Sequence, residues 1–174
     1  EPQAISEVLS GFGIGRLTDS AFPGESAGAL KDPNHWRTIG QATLSYGYGV
    51  AVTTLQLARA YAAIAADGTL RPVSLLALDR PPSGERVISA DTADDLTHML
   101  EAVVSPEGTG QRASIRNFHI AGNTGTTQKA GVGGYDAYRH GAIFAGFAPA
   151  TDPRLVVVVM IDEPQGAAYY GGDI

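Results

Sequence analysis

Apolar residues recur along the first two thirds of the chain at helical spacing and along the last third in strand-like runs. Ile5, Val8, Leu9 and Phe12 mark one helical face, and Gly11-Phe12-Gly13-Ile14-Gly15 ends that helix in a turn. Residues 16–40 hold no such period and read as irregular. Thr53 and Thr54 lead into a second helix. In it Leu55, Leu57, Ala58, Tyr61, Ala62, Ile64 and Ala65 are apolar over most of the circumference, which predicts burial. Either threonine can cap its start, and Gly68 sits where a left-handed C-cap belongs. Leu70 to Leu78 predicts a strand after the Arg71-Pro72 step, and Arg80 to Glu85 is a turn. Ser89 or Asp91 caps a further helix with Ala93, Leu96, Met99, Leu100 and Val103 as its stripe. Asp91, Asp94 and Asp95 near its start suit the positive end of the helix dipole better than a metal.

The last third reads as sheet. His119 to Lys129 forms one run, with a glycine-rich turn at Gly131-Val132-Gly133-Gly134, and Gly141 to Ala148 and Leu155 to Asp162 form two more. Pro149 to Arg154 joins the last two as a hairpin-type loop. Val156 to Ile161 does not alternate with polar residues, so that strand is expected to be covered on both faces. The sum is an α+β domain spanning residues 1–174, with helices covering a mainly antiparallel sheet and Thr124-Gly125-Thr126 ending one strand.

Composition narrows the function. A hydrophobic content of 44% with 17% charged residues is that of a globular chain. A net charge of −6 and a lysine complement of Lys31 and Lys129 argue against a nucleic-acid or anionic-membrane surface. Absence of cysteine excludes disulfides and thiolate metal sites but fits either redox compartment. The chain opens at Glu1-Pro2 and stops just after Gly171-Gly172, so both ends read as cuts in a longer protein.

The sequence offers few candidates for chemistry. Gly24-Glu25-Ser26-Ala27-Gly28 matches G-x-S-x-G, but neither flank supplies the strand and helix that a nucleophile elbow needs. His35, His98, His119 and His140 show no metal-ligand spacing, and His119 reads as a structural hydrogen-bonding residue. No cofactor motif is present. Thr124-Gly125-Thr126 is different. A strand carrying two hydroxyls around a glycine can grip a carboxylate and let it approach the main chain. Alone, the same tripeptide reads as a strand with a glycine bulge.

Seven blocks together carry a resemblance. They are Phe22-Pro23-Gly24-Glu25-Ser26-Ala27-Gly28, Ser45-Tyr46-Gly47-Tyr48-Gly49 with the Thr54 to Tyr61 helix, Gly108-Thr109-Gly110, Ala121 to Thr126, Phe144 to Pro149, Asp162-Glu163-Pro164 and Tyr169-Tyr170-Gly171-Gly172. In this order the chain resembles the C-terminal part of the transpeptidase domain of class B penicillin-binding proteins, closest to the division-specific penicillin-binding protein 3 type. That family resemblance implies the penicillin-binding and serine β-lactamase-like fold. It also implies a serine that attacks the D-Ala-D-Ala end of a peptidoglycan stem peptide and passes the acyl group to a second stem. β-Lactams trap the same serine. By the resemblance Thr124, Gly125 and Thr126 bind the substrate or antibiotic carboxylate, and the Thr126 N–H forms part of the oxyanion hole. Tyr138, Tyr169 and Tyr170 match an aromatic wall, with Tyr48 beside the cleft. Division-complex partners and an inner-membrane anchor with this domain in the periplasm follow by resemblance as well.

Two departures stand out. No serine stands three residues before a lysine and no S-x-N occurs, so the nucleophile-bearing motifs belong upstream and this chain alone is expected not to acylate. The strand motif reads Asn123-Thr124-Gly125 where the family has lysine. Impaired transpeptidation is therefore expected, with a non-catalytic β-lactam sensor of the same fold as the first alternative and a hydrolase using Ser26 as the second.

Overall fold

The computed structural model describes residues 2–131, 134–165 and 169–173. Four helices precede a three-stranded sheet. Helix α1 spans Pro2–Gly11, and left-handed glycines Gly13 and Gly15 turn the chain out of it. The expected irregular stretch holds a single 3-10 turn at Pro33–His35 and then a short helix α2, Thr38–Leu44. Arg37 makes no side-chain cap bond to α2, so its start carries no sequence signal.

Helix α3, Thr54–Ala65, is opened by a complete capping box. Thr53 accepts from the Gln56 N–H while the Gln56 side chain accepts from the Thr53 N–H. Gly68 closes it in the left-handed conformation, its N–H donating to Ala63 O. Gln56 does a second job. Its side-chain amide, 1% exposed, donates to Arg16 O at 2.7 Å and Ala27 O at 2.8 Å, which sews the 16–28 loop onto α3. Glu25 organises that loop from within, accepting from Thr18 N and Oγ1 and from Ser20 Oγ, and these bonds hold its carboxyl below the usual range. The Thr18 hydroxyl does most of this.

The strand expected over Leu70 to Leu78 shrinks to β1, Thr69–Leu70, paired antiparallel with β2, Glu85–Arg86. Leu75, Leu76 and Leu78 are exposed. Apolar type alone does not make a strand where no partner edge lies alongside. Helix α4, Ala90–Val104, starts on Ser89, whose hydroxyl accepts from the Thr92 N–H. Its buried stripe runs through Ala93 to Val104, while Met99, expected inside, is exposed.

Strands β3 (Ala121–Gly131), β4 (Gly134–Ala148) and β5 (Leu155–Asp162) form an antiparallel sheet in that order. Thr124-Gly125-Thr126 lies inside β3 rather than ending it, because the ladder with β4 continues to Gly131. Val132 and Gly133 of the expected glycine-rich turn lie outside the described residues. Helix α3 packs on β4 and β5, α4 packs on β3, and the two helices touch. Ala121, Ala145 and Phe147 are buried beneath them, and Val156, the register partner of Phe147, shares a hollow with Leu55, Ala58 and Ala62 of α3. The other face carries Thr124, Thr126, Ala142, Phe144, Val159 and Ile161 by the strand alternation. Coverage of β5 on both faces is therefore corrected. Val157 and Val159 are about half exposed, at 50% and 47%, because the helices occupy one side.

Candidate active-site wall

Strand β3 pairs with β4 along one edge, and among the described residues its other edge is free. Two N–H groups show which way that edge points. Thr124 N donates to Asn123 Oδ1 at 2.9 Å, and Gln128 N donates to Tyr48 OH at 3.3 Å. Residues two apart on a strand present their N–H groups to the same side, so the intervening Thr126 N–H also points to the free edge. An amide on a free edge is available to a developing negative charge, as an oxyanion hole requires.

The two threonine hydroxyls stand on the sheet face away from α3 and α4, both partly exposed. They line a cleft of about 370 Å3 together with Thr109, Tyr170 and Gly172. A chain segment arriving from beyond β5 forms its far wall. Gly171 lies flat on the sheet, and a Cβ there would overlap Gly125 O and come within 2.6 Å of Ile143 O, so only glycine permits this approach. Its N–H donates to Thr126 Oγ1 at 3.0 Å, and Thr109 Oγ1 lies 2.9 Å from Thr124 Oγ1. Beside the cleft, a larger share of apolar surface from Ala142, Phe144, Val159 and Ile161 lines a hollow of about 220 Å3. That hollow has less to offer chemically than the larger, more polar cleft at the threonines.

Aromatic groups flank both ends. Tyr169 stacks on His140 with ring centroids 4.4 Å apart and on Tyr170 at 4.3 Å, and its phenol donates to Tyr170 OH at 3.0 Å. That bond is the main cause that pushes the Tyr169 phenol above its ordinary value. Tyr48 packs edge-on against Tyr135 at 4.8 Å and Tyr46 at 5.9 Å. Tyr138 joins neither group. It is 94% exposed on β4, opposite the register shift between Gln128 and Ala130.

Asn123 faces the other way from the threonines, pairing with Ala145 across the ladder. Its amide oxygen is occupied by the Thr124 N–H. Lys129 does not stand in for the missing cation. Its ammonium is held by Asp162 at 2.7 Å and Glu163 at 2.9 Å, with Arg139 on the same Glu163 oxygen at 2.8 Å. The Asp162 contact first, then Glu163, pushes the Lys129 ammonium up, while Lys129 and Arg139 hold the Glu163 carboxyl down.

Ser26 lies in a loop with its hydroxyl accepting from the Gly28 N–H at 3.1 Å. No strand precedes it and no helix follows within the loop, which removes the elbow geometry. His119 bonds Glu101 at 3.2 Å, the structural part expected of it. Sequence reasoning assigned no role to Thr109, Gly171, His140 or Tyr135. The first two lay inside recognised blocks, but their contacts to β3 span 15 and 45 residues.

The chain is 45% identical over 161 residues to the probable peptidoglycan D,D-transpeptidase PenA of Neisseria meningitidis, covering 92% of this chain and 28% of that protein. The transpeptidase domain of Burkholderia pseudomallei penicillin-binding protein 3 superposes with a TM-score of 0.91 at 44% identity, over 99% of this chain and 53% of that one. Penicillin-binding protein 3 of Mycobacterium tuberculosis, in a structure with aztreonam, gives a TM-score of 0.89 at 34% identity over 94% of this chain and 41% of that one. The chain thus spans between a quarter and about half of the proteins it matches. The penicillin binding protein transpeptidase domain matches residues 1–174, and the chain belongs to that family.

Proposed function

We propose that this chain forms one wall of the active site of a peptidoglycan D,D-transpeptidase whose nucleophilic serine lies in a segment preceding it. The observation that carries the reading is the pair of β3 hydroxyls, Thr124 and Thr126, opening with the Thr126 N–H onto a cleft beside a free strand edge. A D-Ala-D-Ala terminus laid along that edge places its carboxylate against the hydroxyls. Its scissile carbonyl oxygen then meets the Thr126 N–H. Serine attack forms the acyl-serine ester and expels D-alanine, which takes the serine proton. The amine of a second stem peptide then displaces the serine. A β-lactam follows the first step and stops there, and aztreonam bound to the Mycobacterium relative supports that ligand class here.

Tyr169 and Tyr170 form the aromatic wall and Tyr48 braces the outer end of the strand. Tyr138 is proposed for the same wall by the family resemblance, and it stands 94% exposed and apart from both aromatic groups. The parent is assigned to the periplasmic side of the inner membrane, in septal peptidoglycan synthesis with division proteins as partners. The whole protein is expected to be labelled covalently by a fluorescent penicillin, and residues 1–174 alone are expected to remain unlabelled. A whole protein that takes up no label at saturating antibiotic refutes the reading.

One observation favours a second reading. Asn123 supplies no charge where the family has lysine, and its amide is turned onto Thr124 N–H. On that reading the protein binds β-lactams as a sensor without cross-linking stem peptides. Labelling together with no release of D-alanine from a pentapeptide donor would favour it.

A further inference from the structure

The two motif hydroxyls are each held by a second group, and those groups decide where their protons go. A threonine hydroxyl has one proton to donate and two lone pairs, whereas an ionised carboxylate can accept and not donate. Thr126 Oγ1 accepts the Gly171 N–H, so its own proton stays free for the cleft. For Thr124 the outcome turns on Thr109, 2.9 Å away, since either oxygen can be the donor between them. If Thr124 donates to Thr109, its proton is spent inside the protein. If Thr109 donates to Thr124, the Thr124 proton points to the ligand.

We propose that Thr109 is a positioning residue that donates to Thr124 Oγ1 and thereby turns the Thr124 proton toward the carboxylate of the acyl donor. Gly171 does the same for Thr126 through its main chain. The proposal rests on the reading of the cleft as a carboxylate site. Thr109 is well placed for the task. Gly110 N donates to Val103 O at 2.8 Å, folding the Gly108-Thr109-Gly110 turn back on the end of α4. Gly172 sits against Thr109 O so closely that a Cβ there would overlap it. Its hydroxyl is therefore aimed by two backbone contacts rather than by its own rotamer alone. Hydrogen bonds in series polarise one another, so an approaching carboxylate strengthens the Thr109–Thr124 bond as it binds. No covalent bond changes in this step; it concerns binding and orientation.

The test uses the intact protein and two penicillins that differ in one group, benzylpenicillin and its methyl ester. Thr109→Val is expected to slow acylation by benzylpenicillin about fivefold, the loss of one oriented hydroxyl, and to leave the ester unaffected. Thr109→Ser restores the rate. An equal loss with both compounds means a general structural role and overturns the proposal, as does no loss with benzylpenicillin. A second arm does not depend on acylation. In thermal unfolding, Thr109→Val and Thr124→Val are expected to be non-additive when combined, and additive shifts overturn the pairing. Wild-type protein that no penicillin acylates defeats the reading of the cleft, and the unfolding cycle then still judges the hydroxyl pair.

Discussion

Placing lysine at residue 123 tests the chemistry of the wall most directly. Asn123→Lys exchanges a neutral amide for a cation beside the proposed carboxylate site. Its Cβ leaves β3 on the face opposite Thr124 and Thr126, so the ammonium has to pass round the free edge to approach the carboxylate. Distance limits the gain without cancelling it. At an effective dielectric of about 20, two unit charges attract by about 4 kcal/mol at about 4 Å and by half that at twice the distance. A charge-assisted hydrogen bond nets about 1.5–3 kcal/mol, so acylation is expected to accelerate by about ten- to a hundredfold. Stability should move the other way. The Asn123–Thr124 bond is lost, worth about 0.5–1.5 kcal/mol and toward the low end because it is exposed. The assay is the second-order rate of labelling by a fluorescent penicillin, followed in the intact protein by gel fluorescence. Asn123→Met serves as a control of similar reach without charge. If lysine and methionine label at the same rate as asparagine, the cation has no part in this cleft and the reasoning fails.

Gln56→Ala is expected to be the more damaging change to the fold. It strands the part-buried carbonyls of Arg16 and Ala27 and the Thr53 N–H. At about 1–3 kcal/mol for each unsatisfied group, a loss of about 3 kcal/mol or more is expected, read as a melting shift of several degrees by calorimetry. A shift under a degree would mean that the 16–28 loop does not need this amide. The Lys129–Glu163–Arg139 cluster makes a pH prediction. The Glu163 carboxyl is held down, so its contribution is present above the ordinary carboxylate range and is lost as pH falls through the lowered value. Lys129 is pushed up, so its share is present at neutral pH and is lost only as pH rises past its raised value. Melting temperature should therefore drop in acid, and less so in Glu163→Gln; an identical acid limb in the variant would contradict the cluster's role.

Much of the fold is legible because its signals are local. Thr53 with Gln56, Gly68 and Ser89 each sit where helix starts and stops demand, and α3 and α4 form between them. The misreadings share a different cause. Val156 to Ile161 is apolar throughout, and nothing in such a run says how many layers will lie against it. Helices α3 and α4 touch one another and take one face, which leaves Val157 and Val159 half exposed on the other. Leu75, Leu76 and Leu78 look like a strand for the same reason, and no edge lies beside them to make them one. Helix α2 leaves no signal in the sequence because it spans just seven residues and Arg37 gives it no cap bond.

The site divides along the same line. Thr124 and Thr126 are legible in a tripeptide and its neighbouring blocks, and the alternation of one strand is enough to put both hydroxyls on one face. What makes them useful is supplied from elsewhere. Thr109 arrives from the end of α4, Gly171 from beyond β5 and Tyr48 from the turn after α2, and each touches β3 only in three dimensions. Single-residue patterns cannot report such contacts, since the glycine that lets residue 171 lie on Gly125 reads in sequence as an ordinary turn. Edge strands invite this arrangement. A central strand spends both rows of N–H groups on its neighbours, whereas among the described residues β3 keeps one row unpaired by any strand; Tyr48 OH takes one of those N–H groups, and Thr109 and the Gly171 N–H meet the threonine hydroxyls on the adjoining face. A carboxylate site on such an edge needs its hydroxyls aimed by outside partners, which makes the partners of Thr124 and Thr126 as informative about function as the threonines themselves.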